Sequence, residues 1–270
     1  MATLTTTAHS SSIKTAHGGS FSSGDAVYVS QYADDYSGDL NQAAVDFVAM
    51  VFTANWSGNI VSGVFKFTCD RTSTGEVQCL WAGDRLLLGG AGGGSTVWYR
   101  LIVDPAAGGL VEVFDVNVKN GYVSGGRTIF WDGVDLDNLT VDGGSALVVT
   151  SGTYGTVDTL TMSGGAVELQ RNATTVSVSG GRLKVTDVAF APTTMTVTGG
   201  VVEVLNHSGA ITTLNAYGGV VDFSQLNRPL TITTLNCRRG ARISPPANAS
   251  LLTITTKNLG PGGYDPTLQG

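Results

Sequence analysis

A Gly-Gly phrase that returns at a nearly constant interval constrains the fold of this chain more than any other feature. From residue 139 onward the sequence repeats LTVDGG, LTMSGG, VSVSGG, MTVTGG and LNAYGG, followed by the degenerate LNCRRG. The second position of each pair falls at residues 144, 165, 181, 200, 219 and 240, at intervals of 21, 16, 19, 19 and 21 residues. Repeats of this length are typical of solenoids, in which each unit packs only on its neighbours.

The residues around each glycine pair alternate between apolar and polar side chains. The apolar positions before the pair form two columns: Leu139, Leu160, Val176, Met195, Leu214 and Leu235, then Val141, Met162, Val178, Val197, Ala216 and Cys237. The apolar positions after it form two more: Ala146, Val167, Leu183, Val202 and Val221, then Val148, Leu169, Val185, Val204 and Phe223. Period-two alternation predicts strands whose apolar side chains point inward.

These columns predict an all-β fold, in which an N-terminal β-domain is followed by a β-solenoid (β-helix) of about 19-residue coils. Each glycine pair is expected at a sharp corner, because glycine adopts a positive φ without a Cβ clash. Stacked coils would lie about 4.8 Å apart, the spacing of paired strands. A β-sandwich is the competing interpretation, but it would need varied turns and long crossovers instead of one motif in register.

Composition supports the all-β prediction and excludes some partners. The 270 residues include 37 glycines, and only 13% are charged, against about 25% in typical globular domains. The net charge is −6, and no basic cluster exists beyond Arg238, Arg239 and Arg242, so we expect no nucleic-acid partner. The first twenty residues lack a signal-peptide pattern, and no apolar run is long enough to span a membrane.

The sequence predicts four segments. Residues 1–24, rich in Thr, Ser and Ala, form a flexible arm that either adds a strand to a neighbouring subunit or has no role. Residues 25–110 form the N-terminal β-domain, with a strand preferred over a helix at 42–52. Residues 111–257 form the solenoid, and residues 258–270 form a tail. Residues 238–250 are predicted to be a polar cap, because Arg242 occupies an apolar column position and Pro245-Pro246 follows.

The three cysteines fit neither a zinc site nor a disulfide framework, because no Cys-x-x-Cys is present. Cys69 and Cys79 flank a polar run that is predicted to be a hairpin loop. They could face each other across it, but we expect reduced thiols. Cys237 lies in an inward column and is expected to be buried as a small apolar side chain.

Several residue patterns suggest chemistry and lack its full signature. The run Gly89–Ser95 resembles a phosphate loop without the Gly-Lys-Ser/Thr element, so a flexible turn is preferred. The carboxylates that could hold calcium do not match an EF-hand or a Gly-Gly-x-Gly-x-Asp repeat, so a solvated turn is preferred; they are Asp132, Asp135, Asp137 and Asp142.

The sharpest enzymatic hypothesis is a carboxylate pair formed by Glu203 and Asp222 on adjacent coils. The coil spacing would place them about 5 Å apart, as in a retaining glycosidase. Their column also holds Leu147 and Lys184, so an exposed structural face is the preferred interpretation. His9, His17 and His207 have no nucleophile or acid partner at a recognisable spacing. The prediction is therefore a protein that is not an enzyme, with no catalytic, cofactor-binding or metal-binding residue.

The phrase Leu-Thr-Val-x-Gly-Gly, together with the upstream segment FTANWSGNI at residues 52–60, resembles structural proteins of tailed-phage virions. The resemblance covers most of the chain from about residue 26, and its motifs are of low specificity. The repeats also resemble passenger domains of autotransporter adhesins, but the sequence lacks a signal peptide and a membrane barrel. Pectate-lyase-type β-helices are a third neighbour, with longer coils and clustered Asp, Lys and Arg that this chain lacks.

The phage resemblance implies a capsid decoration (cement) protein, located in the virion after synthesis in the host cytoplasm. Its expected partners are capsid or other virion proteins and further copies of itself, as a homo-oligomer, without nucleic acid or membrane. The alternative is a tail or head appendage that binds a host surface glycan. Such binding favours exposed aromatic residues, of which Tyr154 and Tyr217 are the obvious candidates. A polysaccharide-degrading β-helix is the third possibility.

Overall fold

A computed structural model shows an all-β chain whose strands pair in parallel. The structure describes residues 97–104, 109–149, 157–187, 190–205, 209–238 and 240–261, and strand segments 2–4, 26–29, 39–46, 49–52, 65–79 and 86–89. The described residues contain no α-helix, only a 3-10 turn at Ala249–Leu251. No helix in the described part of the chain is long and apolar enough to cross a bilayer. Residues 97–259 form a β-solenoid of about 8 turns with coils of about 19 residues, which confirms the predicted fold class.

The chain divides into two compact units, with the boundary between Asp137 and Asn138. The strands that begin in the first unit are β1 (Ala2–Leu4), β2 (Ala26–Val29), β3 (Asp39–Asp46), β4 (Ala49–Phe52), β5 (Phe65–Cys79), β6 (Leu86–Gly89), β7 (Val97–Val103), β8 (Leu110–Phe114), β9 (Asn117–Val123), β10 (Arg127–Phe130) and β11 (Asp135–Val141). Those of the second unit are β12 (Ser145–Val148), β13 (Val157–Met162), β14 (Ala166–Leu169), β15 (Ala173–Val178), β16 (Arg182–Val185), β17 (Thr194–Val197), β18 (Val201–Val204), β19 (Ala210–Ala216), β20 (Gly219–Asp222), β21 (Leu230–Cys237), β22 (Ala241–Ser244) and β23 (Leu252–Leu259).

In the first unit the described strands belong to two parallel sheets. Sheet A runs β1–β2–β4–β5–β7–β9, and sheet B runs β3–β5–β6–β8–β10. The strands of residues 26–103, expected in a separate N-terminal domain, therefore have the same parallel pairing as the coils that follow. The strand preferred over a helix at residues 42–52 is confirmed by β3 and β4. Part of the predicted flexible arm, Ala2–Leu4, is a strand on β2, and residues 5–24 lie outside the described residues.

The predicted hairpin between Cys69 and Cys79 is wrong. Both cysteines lie in the single strand β5, where Cys69 pairs with Gln42 in sheet B and Cys79 pairs with Val103 in sheet A. The polar run between them coincides with irregularities in the register of both sheets. Polar residues mark a corner here as they would mark a hairpin, but the chain passes from one parallel sheet to the other without reversing.

In the second unit each coil contributes one strand to each sheet. Sheet A runs β13–β15–β17–β19–β21–β23, and sheet B runs β12–β14–β16–β18–β20–β22, with every pairing parallel. Residues that occupy the same place in the repeat are direct neighbours. Val178, for example, pairs with Met162 and Val197. The sequence columns are therefore physical columns along the stack.

The four predicted inward columns form the core. Val178, Leu183, Val202 and Val204 are fully buried, and so is Cys237, as expected for a small apolar side chain. A fifth inward column, which the alternation does not indicate, lies three residues before the leucine column; its members are Val157, Ala173, Pro192, Ile211 and Ile232. Two polar residues separate it from the next inward position, so the period-two alternation is interrupted there.

The glycine pairs stack backbone on backbone. The second glycine of each has a positive φ, as predicted, with +74° at Gly181 and +70° at Gly200. A Cβ atom on Gly200 would lie 2.6 Å from the carbonyl oxygen of Gly181, and one on Gly199 would overlap the carbonyl oxygen of Ser179. Side chains are therefore excluded from this corner by the neighbouring coil as well as by φ.

The C-terminal end differs from its prediction in two ways. Arg242 is exposed on the outer face beside Val220, and Ile243, only 2% exposed, fills the core position opposite Val221. A shift of one residue in register keeps an unpaired guanidinium out of the core, where it would be costly. The solenoid then continues past the predicted cap, because β23 pairs with β21 as far as Leu259. Residues 262–270 lie outside the described part of the chain.

Candidate functional site

The outer face of sheet B holds the carboxylate pair that sequence analysis singled out. Glu203 and Asp222 are direct neighbours in register, as the repeat predicts. The Arg182 guanidinium binds both oxygens of Glu203, with Nη2–O distances of 2.7 and 2.8 Å. Asp222 Oδ1 accepts a hydrogen bond from the backbone N–H of Ser224 at 2.8 Å. The two carboxylates therefore lie side by side, and each is held by a different partner.

In the preceding coils another carboxylate, Glu168, also binds a cation on a neighbouring coil. Lys184 Nζ lies 3.3 Å from Glu168 Oε2, and Gln170 Nε2 donates to Glu168 Oε1 at 3.1 Å. The hydrogen bond from Gln170 is the largest influence on Glu168, and with Lys184 it lowers the pKa of this carboxyl despite opposing desolvation. The outer face of β14–β16–β18 is thus a ladder of cross-coil ion pairs, which are individually weak because they are solvent-exposed.

The four acidic residues considered as a calcium site do not act together: three have separate partners, and the fourth, Asp142, is exposed. Asp137 forms a 2.8 Å ion pair with Lys119, and Asp135 accepts a hydrogen bond from Asn117 at 3.2 Å. Asp132 accepts one from the backbone N–H of Gly133, as expected in a solvated turn, but Asp135 and Asp137 lie in strand β11 and not in a turn. Within the described ranges, no group of three or more His, Cys, Asp or Glu side chains is placed to hold a metal ion.

The outer face of sheet A in the second unit carries a ladder of amides. Asn215 donates to Thr196 Oγ1 at 3.1 Å, Asn236 donates to Asn215 at 2.7 Å, and Asn258 donates to Asn236 at 2.8 Å. Tyr217 continues this network through a 3.3 Å hydrogen bond to Asn215. Its ring, only half-exposed, is covered by the Arg238 guanidinium at 4.4 Å. Tyr217, which the sequence suggested as an exposed aromatic residue, therefore belongs to the amide ladder and is covered by an arginine.

Among the side chains that the structure describes, the exposed aromatic residues are different ones. Tyr99 is 52% exposed, Trp131 39% and Tyr122 37%. Trp131 Nε1 donates a 2.6 Å hydrogen bond to Glu112, a carboxylate on the outer side of sheet B that is only 3% exposed. Sequence analysis missed these positions because they precede the regular repeat, where no column shows which residues point outward.

The other proposed site residues lie mainly beyond the described part of the chain. Of the glycine-rich run, Gly89 ends β6, and residues 90–96 lie outside the described residues; so do Tyr154, His9, His17 and His207. Comparison of the chain with protein-family models, with curated proteins and with solved structures found no match.

Proposed function

We propose that this chain is a non-enzymatic structural protein of a phage virion and acts as a capsid decoration protein. The observation that carries the non-enzymatic part is the pairing of the outward carboxylates. Glu203 is bound on both oxygens by Arg182, and Glu168 is bound by Lys184 and Gln170. A retaining glycosidase needs one carboxylate free to attack and a second that carries a proton. Glu203 and Glu168 instead form exposed cross-coil ion pairs, each a weak contribution to the stack, and Asp222 accepts a hydrogen bond within its own coil.

The virion part of the proposal depends on the resemblance of the repeat and of residues 52–60 to structural proteins of tailed phages. A β-solenoid suits such a role because stacked coils give a stiff body without a cofactor. We infer that its partners are capsid or other virion proteins and further copies of itself. The protein would be made in the host cytoplasm and reside in the virion, with no nucleic-acid or membrane partner.

Reconstitution on capsids tests this function. Recombinant protein would be added to purified capsids that lack it, and the bound fraction would be measured by sedimentation and located by electron cryomicroscopy. We expect saturable binding at symmetry-related positions of the shell. Binding that does not saturate, or absence of the protein from intact particles analysed by mass spectrometry, would contradict the proposal.

A further inference from the structure

The last strand of sheet A in the second unit has an open edge. Among the described strands, β23 pairs with β21 alone, along residues 252–259. The open edge of a parallel sheet presents backbone N–H and C=O groups at the spacing that another strand needs, so it is a template for adding one. The side chains of β23 show what kind of strand would fit.

Two contacts between coils stop unfinished at β23. In the amide ladder, the side-chain oxygens of Asn215 and Asn236 each accept a hydrogen bond from the next coil, but that of Asn258 accepts none from the described residues. In the inward column, Cys237 is fully buried, whereas Leu259, its partner in register, is 41% exposed. A further strand with a polar donor opposite Asn258 and an apolar side chain opposite Leu259 would complete both contacts.

The first strand of sheet A has an open edge of the same kind. Among the described strands, β1 pairs with β2 alone, and Leu4 is the partner of Val29. The register continues from Val29 through β4 to Cys79 in β5 and Val103 in β7, both of which are fully buried. Leu4 therefore stands in the register position of an inward column at the edge of its sheet.

Parallel pairing of these two edges supplies both missing contacts. With the inward columns aligned, Leu4 would lie on Leu259 and Thr3 on Asn258. The first pair would cover an exposed leucine, and in the second the threonine hydroxyl would donate to the open amide oxygen. A threonine is already the partner at the other end of this ladder, where it accepts from Asn215. We propose that β23 of one copy pairs in parallel with β1 of a second copy, an inference that rests on the part of the proposed function that names copies of the chain as partners.

The distribution of charge favours this head-to-tail contact over a contact between two identical ends. Residues 223–261 contain five basic residues and no acidic one, whereas residues 1–64 contain five aspartates and one lysine, so their formal charges are +5 and −4. Of the basic residues, Lys257 pairs with Leu235 in β21, and Arg242 is exposed on β22. Two basic ends repel each other, but a basic end attracts an acidic one. Because the two surfaces differ, a pair of copies still has two open edges, and the contact can produce a series of oligomers.

Disulfide trapping between two variant chains tests the pairing without any capsid. Full-length Asn258→Cys and Thr3→Cys chains would be mixed and mildly oxidised, and peptide mapping would locate the link. Neighbouring strands lie about 4.8 Å apart, which brings the two Cα atoms within disulfide range, so we expect a mixed dimer linked between residues 3 and 258. The matched control mixes Thr3→Cys with Asn215→Cys, a position in the same ladder two coils inside the stack. It should give at least about tenfold less cross-linked product, because the Cα atoms are then beyond disulfide range.

Sedimentation velocity on the unmodified chain gives a second measurement. We expect the mean mass to rise with protein concentration and to fall with added salt, which screens the opposite charges. Arg242→Glu should weaken self-association about fivefold or more, because it reverses a charge at the basic end. The control Arg127→Glu, which reverses another exposed arginine on sheet B, this time in the first unit, should not weaken it.

Three results would overturn the proposal: a monomer at every concentration up to the solubility limit, a link between two copies of residue 258, or equal cross-linking through residues 215 and 258. Saturable capsid binding by a chain that stays monomeric would refute this contact and leave capsid decoration standing. Linked head-to-tail oligomers that do not bind capsids would support the contact and refute capsid decoration.

Discussion

Glycine could be required at the corners because the neighbouring coil leaves no room for a Cβ or because φ is positive. Alanine substitution at three glycines separates these two reasons. At Gly199, where φ is not positive, a Cβ would overlap the Ser179 carbonyl oxygen. Neither group is a flexible side chain, so the coils must move, and such overpacking costs about 1–3 kcal/mol. At Gly240, φ is +103° and a Cβ would meet nothing within 4 Å, which leaves only backbone conformational strain, about 1–3 kcal/mol.

Gly200 combines both effects, because its φ is +70° and its Cβ would lie 2.6 Å from the Gly181 carbonyl oxygen. We therefore expect Gly200→Ala to cost about 2–5 kcal/mol, more than either Gly199→Ala or Gly240→Ala. Each substitution also restricts the unfolded chain to the same extent, so this contribution cancels in the comparison. Urea unfolding followed by circular dichroism measures all three. Equal losses for Gly200→Ala and Gly240→Ala would refute backbone contact between coils as the cause.

Three further predictions concern single faces of the solenoid. Val178→Asp, which buries a carboxylate, should cost several kcal/mol, whereas the outward Thr196→Asp should cost less than about 1 kcal/mol; equal losses of melting temperature would disprove the assigned faces. Because the pKa of Glu168 is lowered on folding, its ionised form adds stability that is present above the unfolded pKa of about 4.3 and lost as pH falls through the folded pKa. The stability difference between wild type and Glu168→Gln should therefore shrink on acidification below about pH 4, and a difference that grows there would contradict this linkage. Wild type and Glu203→Gln/Asp222→Asn should both fail to cleave polysaccharides in a reducing-end assay. Cleavage by wild type that the double variant loses would mean that the protein is an enzyme.

The regular part of the fold could be predicted because each coil repeats the same short sequence pattern. Alternation of apolar and polar residues identifies the inward side of a strand, and the glycine pairs set where each coil begins again. Residues such as Val178 and Leu183 were therefore placed correctly without any knowledge of tertiary contacts. Their pairing partners followed from the interval alone, since stacking identical units brings identical positions together.

The wrong predictions fall where the repeat is irregular or where packing between strands decides the structure. Arg242 was assigned inward by counting from Gly240, but one extra residue restores Ile243 to the core, and only the cost of burying the guanidinium explains the shift. The polar run before Cys79 has the composition of a hairpin loop, and nothing local distinguishes it from a corner between parallel sheets. The exposure of Tyr99 depends on how neighbouring strands pack, which the irregular N-terminal half does not reveal.

Disulfide trapping between substituted cysteines tests coil stacking most directly. Ser177 and Thr196 are neighbours in register, and Asn215 lies one coil further along. At a spacing of about 4.8 Å per coil, the Cα atoms of Ser177→Cys/Thr196→Cys lie within disulfide range, whereas those of Ser177→Cys/Asn215→Cys lie about 9.6 Å apart, beyond it. Mild oxidation and peptide mapping should therefore find a cross-link between residues 177 and 196 only. Efficient cross-linking of residues 177 and 215, with none between 177 and 196, would contradict the stacked solenoid.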